Sequence, residues 1–300
     1  MKNAGMAVFV LLTAAVLMFA GCAGGEAELG SEENPIVWSF VPSGEMEQVA
    51  AGADEIASLL NEETGLFFDT NVATEYAGVI EALAADPPSA HMASLATFSY
   101  IKAADMGVAE AALVAVRYGS PTYAGQIIAR ADSDINSVAD LKGKTFGRPD
   151  PLSTSGWIVP MLTMKAEGID YQTDLEEVVD TGSHNNVVTA VYNGEVDAGA
   201  TFDDARGNVE DDLEDVREVV KVIATSAPIP NDGVQFSPSV PEEIREQIVE
   251  ALLAIAATDD GQEALSTAYS WNELIRRDDS FYDPFRQTLQ RAGMDVDDIQ

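Results

Sequence analysis

Short apolar runs alternate with stretches in which apolar residues recur every three or four positions, and this alternation is the main signal of the chain. Residues 36–41 (IVWSFV) form an apolar run closed by Pro42, Ser43 and Gly44, the pattern of a buried strand. Residues 46–60 carry apolar side chains at helical spacing, residues 66–72 read as a second strand, and residues 75–84 as a helix with Thr74 at its N-cap. Asp86, Pro87 and Pro88 stop that helix; residues 91–95 are strand-like and residues 97–104 helical. Further strands are expected at 111–116, 125–130, 145–147, 177–180, 196–201 and 219–225. Helices are expected at 185–192, 241–265 and 282–291, with a short helix and turn at 138–144. The acidic stretch 203–216 reads as a solvated helix or loop, and residues 228–232 as a proline-rich turn. Strands and helices alternating in this way predict an α/β fold with mixed, mainly parallel sheets and crossover helices.

The stretch GRPDPLSTSGWIVPMLTMK, residues 147–165, stands out within this pattern. Gly147, Pro149, Asp150 and Pro151 discourage helix, and three hydroxyl residues follow, Ser153, Thr154 and Ser155, then Gly156. Beyond them Ile158, Met161, Leu162 and the stem of Lys165 recur at helical spacing, with Pro160 early in the helix, where a missing N–H costs least. Hydroxyls at a helix start satisfy amides that lack intrahelical partners, and such a start also attracts anions through its free N–H groups and dipole. Taken alone, the S-T-S-G run fits an ordinary capped helix as well as an anion site. A faint internal echo accompanies it: YAGVIEAL from Tyr76 and NVVTAVY from Asn186 each begin a helix after a turn and lead to a break and a short strand. Two similar lobes would produce that echo, as would any pair of strand–helix–strand units.

Charge narrows the function classes. The 300 residues include 51 acidic and 16 basic ones, net −35, which excludes a general nucleic-acid partner and opposes adsorption to anionic lipid. An anion site on such a chain has to be made from local donors, because the overall field repels the ligand. Lys2 precedes a 14-residue apolar run, residues 7–20, too short to span a bilayer comfortably. It ends in Phe19-Ala20-Gly21-Cys22, where Cys22 is the single cysteine. Small residues before a lone cysteine resemble a bacterial lipoprotein cleavage site, so residues 1–22 are expected to be a signal peptide, Cys22 the lipidated residue, and residues 23–34 a flexible acidic tether. No disulfide remains possible, and two histidines with one signal-linked cysteine are too few for a zinc site, so no metal or cofactor is expected.

Several segments then combine: Tyr76 in EYAGVIEAL, Tyr123 in GSPTYAG, DLKGKTF, DPLSTSG, GSHNNVVTAVYNGEVDAGATFDDA and IPND. In this order and spacing they resemble the substrate-binding proteins of bacterial ABC importers for phosphonate, phosphite and related phosphorus oxyanions, over about residues 37–271. The resemblance implies a type II periplasmic-binding-protein fold, two lobes joined by a two-strand hinge and closing on a ligand. Lobe 1 would be residues 35–120 plus 226–300, and lobe 2 residues 121–225. It implies ligand contacts from Tyr76, Tyr123, Ser153, Thr154, Ser155 and His184, with Asp204 and Asp232 at positions where the family places acidic contacts. It also implies a non-enzymatic, monomeric receptor, held at the periplasmic face or cell surface by its lipid, with a small oxyanion and an ABC permease as partners.

In this reading the hydroxyls of residues 153–155 hold the oxyanion with neutral donors, the two phenols close on it from opposite lobes, and His184 donates through an imidazole that the anion would favour in its protonated form. His91, inside HMASLA, is read as structural. The aspartates need a ligand that carries a proton, because a carboxylate only accepts: hydrogen phosphate-like groups offer P–OH and aminophosphonates an ammonium, whereas sulfate offers neither. Other readings place a sulfonate in the same fold, or make the chain a sensory lobe for a membrane kinase. An enzyme using Ser153 and His184 lacks the glycine-flanked serine elbow that activates such nucleophiles.

Overall fold

A computed structural model describes residues 27–299; the expected signal peptide, Cys22 and the start of the expected tether lie outside the described residues. Each apolar run expected to be a strand does pair in a sheet. The chain first builds β1 (Ile36–Phe40), α1 (Met46–Thr64), β2 (Phe68–Val72), α2 (Tyr76–Ala84), β3 (Met92–Ser94), α3 (Thr97–Asp105) and β4 (Glu110–Val116). It then crosses through β5 (Thr122–Tyr123) to β6 (Gly125–Arg130), β7 (Thr145–Arg148), α4 (Val159–Ala166), β8 (Glu177–Asp180), α5 (His184–Asn193), β9 (Ala198–Phe202), α6 (Val216–Val219) and β10 (Val220–Thr225). It returns through β11 (Ile229–Pro230) to β12 (Gly233–Phe236), α7 (Glu242–Ile255), α8 (Asp259–Tyr269), β13 (Glu273–Arg276) and α9 (Asp283–Arg291).

Pairing sorts the strands into a six-stranded sheet, β13-β4-β12-β3-β1-β2, and a five-stranded sheet, β10-β6-β9-β7-β8. Both are mixed. Parallel pairs join β2, β1 and β3 in one and β8, β7 and β9 in the other, the places where helices connect successive strands. The remaining junctions are antiparallel, because the returning strands β12 and β13 and the flanking strands β6 and β10 run against their neighbours.

The two crossings meet as a ladder of their own: β5 pairs antiparallel with β11, Ile229 opposite Tyr123 and Pro230 opposite Thr122. Within the expected turn 228–232, Ile229 and Pro230 are therefore a paired strand. Proline is tolerated there because this two-stranded piece has an open edge for it. β12 and β13 escaped the pattern reading, since GVQF and ELIR are four residues each, too short to show a period. The single helix expected over 241–265 is two helices, because the Thr258 hydroxyl accepts from Gly261 N and restarts the backbone as the cap of α8.

Candidate functional site

Four helix starts meet where the halves carrying the two sheets face each other, and hydrogen bonds tie the starts together. α2 begins at Tyr76, α3 at Thr97, the turn Thr154–Ile158 leads into α4, and α5 begins at His184. Tyr76 N donates to Asp150 Oδ2 at 3.0 Å, Phe98 N to Thr154 Oγ1 at 2.8 Å, and Ser153 Oγ lies 3.3 Å from His184 Nε2. The expected cap of α2 is thereby corrected. Glu75, not Thr74, occupies the N-cap position without a capping side chain, and a carboxylate from the opposite half serves instead.

The hydroxyl run sits at a widened turn. Ser153 Oγ accepts from Gly156 N at 3.2 Å, while Ser153 O receives both Trp157 N and Ile158 N. Opening the first turn to this width keeps Thr154 and Ser155 turned inward, a geometry often found at functional sites. Any Cβ on Gly156 would run into the Pro149 ring and Ser153 Oγ, so glycine is required at that position. Trp157 anchors the turn from behind, edge-on to Tyr171 with ring centroids 5.5 Å apart and with the Arg148 guanidinium 4.5 Å from its own ring centroid. All three hydroxyl residues are buried.

Both tyrosines reach this group. Burial, with the nearby charge of Asp150, pushes the Tyr76 phenol well above its ordinary range even though the Ser153 hydroxyl beside it acts the other way. Burial likewise pushes Tyr123 up to about 12, against the Ser155 hydroxyl that faces it. Both phenols are held protonated and remain donors. His184 is sandwiched between Ser153 and Thr201, its Nδ1 2.9 Å from Thr201 Oγ1. Burial and the Arg117 charge press its pKa down to about 3, so the imidazole is neutral in the anion-free protein.

The two acids part company. Asp232 joins the cluster, but not as a free carboxylate: Arg117 grips both its oxygens, with Nη2 2.9 Å from Oδ2, and Trp271 Nε1 donates to Oδ2 at 3.0 Å. Asp204 is directed elsewhere. It caps the turn Ala205–Val209 and accepts from Gln126, Arg206 and Arg217, none of which belongs to the tyrosine–serine–histidine group. Burial would raise its pKa, yet those hydrogen bonds and charges hold it well below the usual carboxylate range. The structure therefore brings together Tyr76, Tyr123, Ser153, Thr154, Ser155, His184 and Asp232, and leaves Asp204 outside.

Sequence reasoning missed Asp150, Arg117 and Trp271. Asp150 read as a turn residue; a carboxylate two positions before Leu152, whose amide it accepts at 2.7 Å, gives no hint of a long-range partner. Arg117 left a fainter trace, a basic residue ending the apolar run AALVAV in a chain poor in basic residues. Across the same boundary Ser99 Oγ donates to Leu152 O at 3.2 Å, His184 N to Ser43 O at 3.2 Å, and Asn185 Nδ2 to Glu45 Oε1 at 3.2 Å, so the halves are closed on one another. Among the described residues no cluster of three or more His, Cys, Asp or Glu side chains is arranged to hold a metal ion, and no helix is long and apolar enough to cross a membrane.

Comparison with known proteins identifies the family and the fold. The family model described as ABC transporter, phosphonate, periplasmic substrate-binding protein matches residues 38–282. The chain is 31% identical over 178 residues to the phosphate-import protein PhnD of Mycolicibacterium smegmatis, covering 56% of this chain and 55% of that one. It is 26% identical over 233 residues to the phosphonates-binding periplasmic protein of Escherichia coli, covering 76% and 68%. The chain thus spans about half the length of the first relative and about two thirds of the second. Its fold is similar to the crystal structure of a binding protein component of an ABC phosphonate transporter from Pseudomonas aeruginosa, with a TM-score of 0.78 at 23% identity over 86% of this chain and 87% of the other.

Proposed function

Because the chain belongs to the family of periplasmic substrate-binding proteins of phosphonate ABC transporters, we propose that it captures a phosphorus oxyanion in the interlobe cleft and delivers it to an ABC permease. The family is one of transporter binding proteins rather than enzymes, and of periplasmic ones. The observation that carries the reading is the convergence of four helix starts on Ser153, Thr154 and Ser155, with phenols from Tyr76 and Tyr123 facing them. Some of their amides are engaged by Asp150, Thr154 and Ser153, but the starts still bring the positive ends of their dipoles, and the hydroxyls add donors without importing a counter-cation. The relatives named for phosphate import and for phosphonate binding support a phosphorus centre for the ligand.

In this reading residues 35–120 with 226–300 form one lobe and residues 121–225 the other, and the paired β5 and β11 are the hinge. Ligand seals the cleft and the permease recognises the closed form. Ser153, Thr154 and Ser155 hold the oxyanion, Tyr76, Tyr123 and His184 donate around it, and Asp232 accepts from a protonated ligand oxygen. Asp204 acts as a structural cap. Cys22 carries the lipid that anchors a monomeric receptor at the membrane, facing the periplasm or cell exterior. Calorimetry of the purified protein against phosphate, phosphite, methylphosphonate and sulfate tests the function: at least one phosphorus compound is expected to bind tenfold or more tightly than sulfate. Equal affinities, or none for phosphorus compounds, would overturn it.

A further inference from the structure

We infer that the site takes a phosphorus oxyanion bearing no ammonium group, and that Arg117 is the specificity-determining residue behind this preference. The inference rests on the reading that the cleft holds a phosphorus oxyanion, and narrows it. An ammonium brings three donors and a positive charge, and needs an ionised acceptor that the protein has not already satisfied. Glu45, which meets Asn185 across the boundary, lies exposed to solvent, and the buried or half-buried carboxylates are already engaged. Asp150 is buried and turns one oxygen to each of two backbone amides, Tyr76 N at 3.0 Å and Leu152 N at 2.7 Å, so that it caps α2 from the opposite half. Asp204 is held by two guanidiniums and an amide outside the cluster.

Asp232 remains, and Arg117 has used most of it. A carboxylate offers about four lone-pair sites. Arg117 Nη1 takes one on Oδ1, and Arg117 Nη2 and Trp271 Nε1 take two on Oδ2, which leaves one on Oδ1. Arg117 is itself nearly saturated: Nε donates to Tyr269 O at 3.0 Å, Nη1 also to Asn231 Oδ1 at 3.1 Å, and one N–H on Nη2 is left over. The side chains of Arg117 and Asp232 keep 19% and 17% of their surface open, so the pair fronts open space rather than lying sealed in the core. It presents a neutral face with one acceptor and one donor. A ligand hydroxyl on phosphorus can meet that face, whereas an ammonium would be placed beside a guanidinium with its charge uncompensated.

The test uses an isosteric ligand pair, ethylphosphonate and aminomethylphosphonate, together with inorganic phosphate, titrated by calorimetry into the wild-type chain and into Arg117→Met. In the wild type, phosphate binds and ethylphosphonate binds at least tenfold more tightly than aminomethylphosphonate. In Arg117→Met, Asp232 is freed to receive the ammonium and that ratio falls below one. Aminomethylphosphonate binding the wild type as tightly as ethylphosphonate overturns the inference while the proposed function stands. An unchanged ratio in Arg117→Met removes the role given to Arg117. Failure of every phosphorus compound to bind the wild type overturns the proposed function and the inference with it. The wild-type ratio decides the ligand class even where the variant does not fold.

Discussion

Replacing Thr154 with valine isolates one hydroxyl that serves both halves of the molecule. Thr154 Oγ1 accepts from Phe98 N at 2.8 Å, at the start of α3, and its own proton is then free for a ligand oxygen. Thr154→Val keeps the shape and removes both functions. In the closed form Phe98 N–H is left buried without a partner, a cost of about 1–3 kcal/mol. Loss of the bond to a charged ligand oxygen costs about 1.5–3 kcal/mol more. The sum, roughly 2.5–6 kcal/mol, corresponds to a loss of affinity of about two to four orders of magnitude at 1.4 kcal/mol per tenfold. In the open form that the proposed function implies for the free protein, Phe98 N–H meets water, so its melting temperature moves by only a few degrees, the shift roughly 1 kcal/mol produces in a chain of this size. Calorimetry with phosphate and thermal melting without ligand read the two quantities separately. A phosphate affinity within threefold of wild type would refute the reasoning, as would a fall in melting temperature large enough to make the hydroxyl a structural one.

His184 gives a pH signature. With the halves closed as in this structure its pKa is depressed to about 3, so its contribution to the stability of the closed form is full above about pH 6.5 and is lost as pH falls from there toward 3, at up to about 1.4 kcal/mol per pH unit. Urea unfolding at pH 7, 6 and 5 should show that slope in the wild type and a shallower one in His184→Gln; parallel profiles would remove the assignment. Asp150→Asn leaves one of the two amides it accepts facing an NH2 group, and is expected to weaken phosphate binding by about 1–3 kcal/mol, read by calorimetry. An affinity equal to wild type would mean that the contact between the halves does not contribute to closure. Gly156→Ala forces the turn away from Pro149 and should lower phosphate affinity more than tenfold while far-ultraviolet dichroism stays native; full affinity would show that the widened turn tolerates rearrangement.

Much of this architecture was legible because it is written in local periodicity. Nine strands and most helices follow from apolar runs and three-to-four spacing, and the hydroxyl run announced a helix start at Ser153 that the structure contains. The faint echo also has a physical basis: α2 and α5 both aim their first residue, Tyr76 and His184, at the same cluster. What stayed hidden is non-local. Nothing near Arg117 in the chain shows that Asp232, 115 positions away, shares its charge, or that Asp150 caps a helix 74 positions earlier. Asp204 was misdirected for the same reason. Its partners Arg206 and Arg217 lie close in sequence, but only folding shows that they hold its carboxylate away from the tyrosine–serine–histidine group.

The pairing of Arg117 with Asp232 also resolves how a chain of net charge −35 holds an anion. The sequence suggested a pocket of uncharged donors; the structure adds one guanidinium, yet spends its charge on an aspartate, so the net effect on the wall is small. A bare arginine would have strengthened every oxyanion alike, sulfate included. A bare aspartate would have repelled them all. Joined, they cancel at long range and differ at short range, one lone pair on one side and one N–H on the other, so discrimination comes from where the ligand carries its proton. The attraction itself is left to the helix starts, whose dipoles act over a turn or so and are little affected by acids spread across the outer surface and screened by salt. Distant surface charge therefore matters little to affinity at the site, and neutralising exposed acids such as Glu242 and Glu243 on α7 should leave phosphate affinity within twofold at physiological ionic strength. A larger change would place the attraction in the field of the whole molecule instead of in the four helix starts.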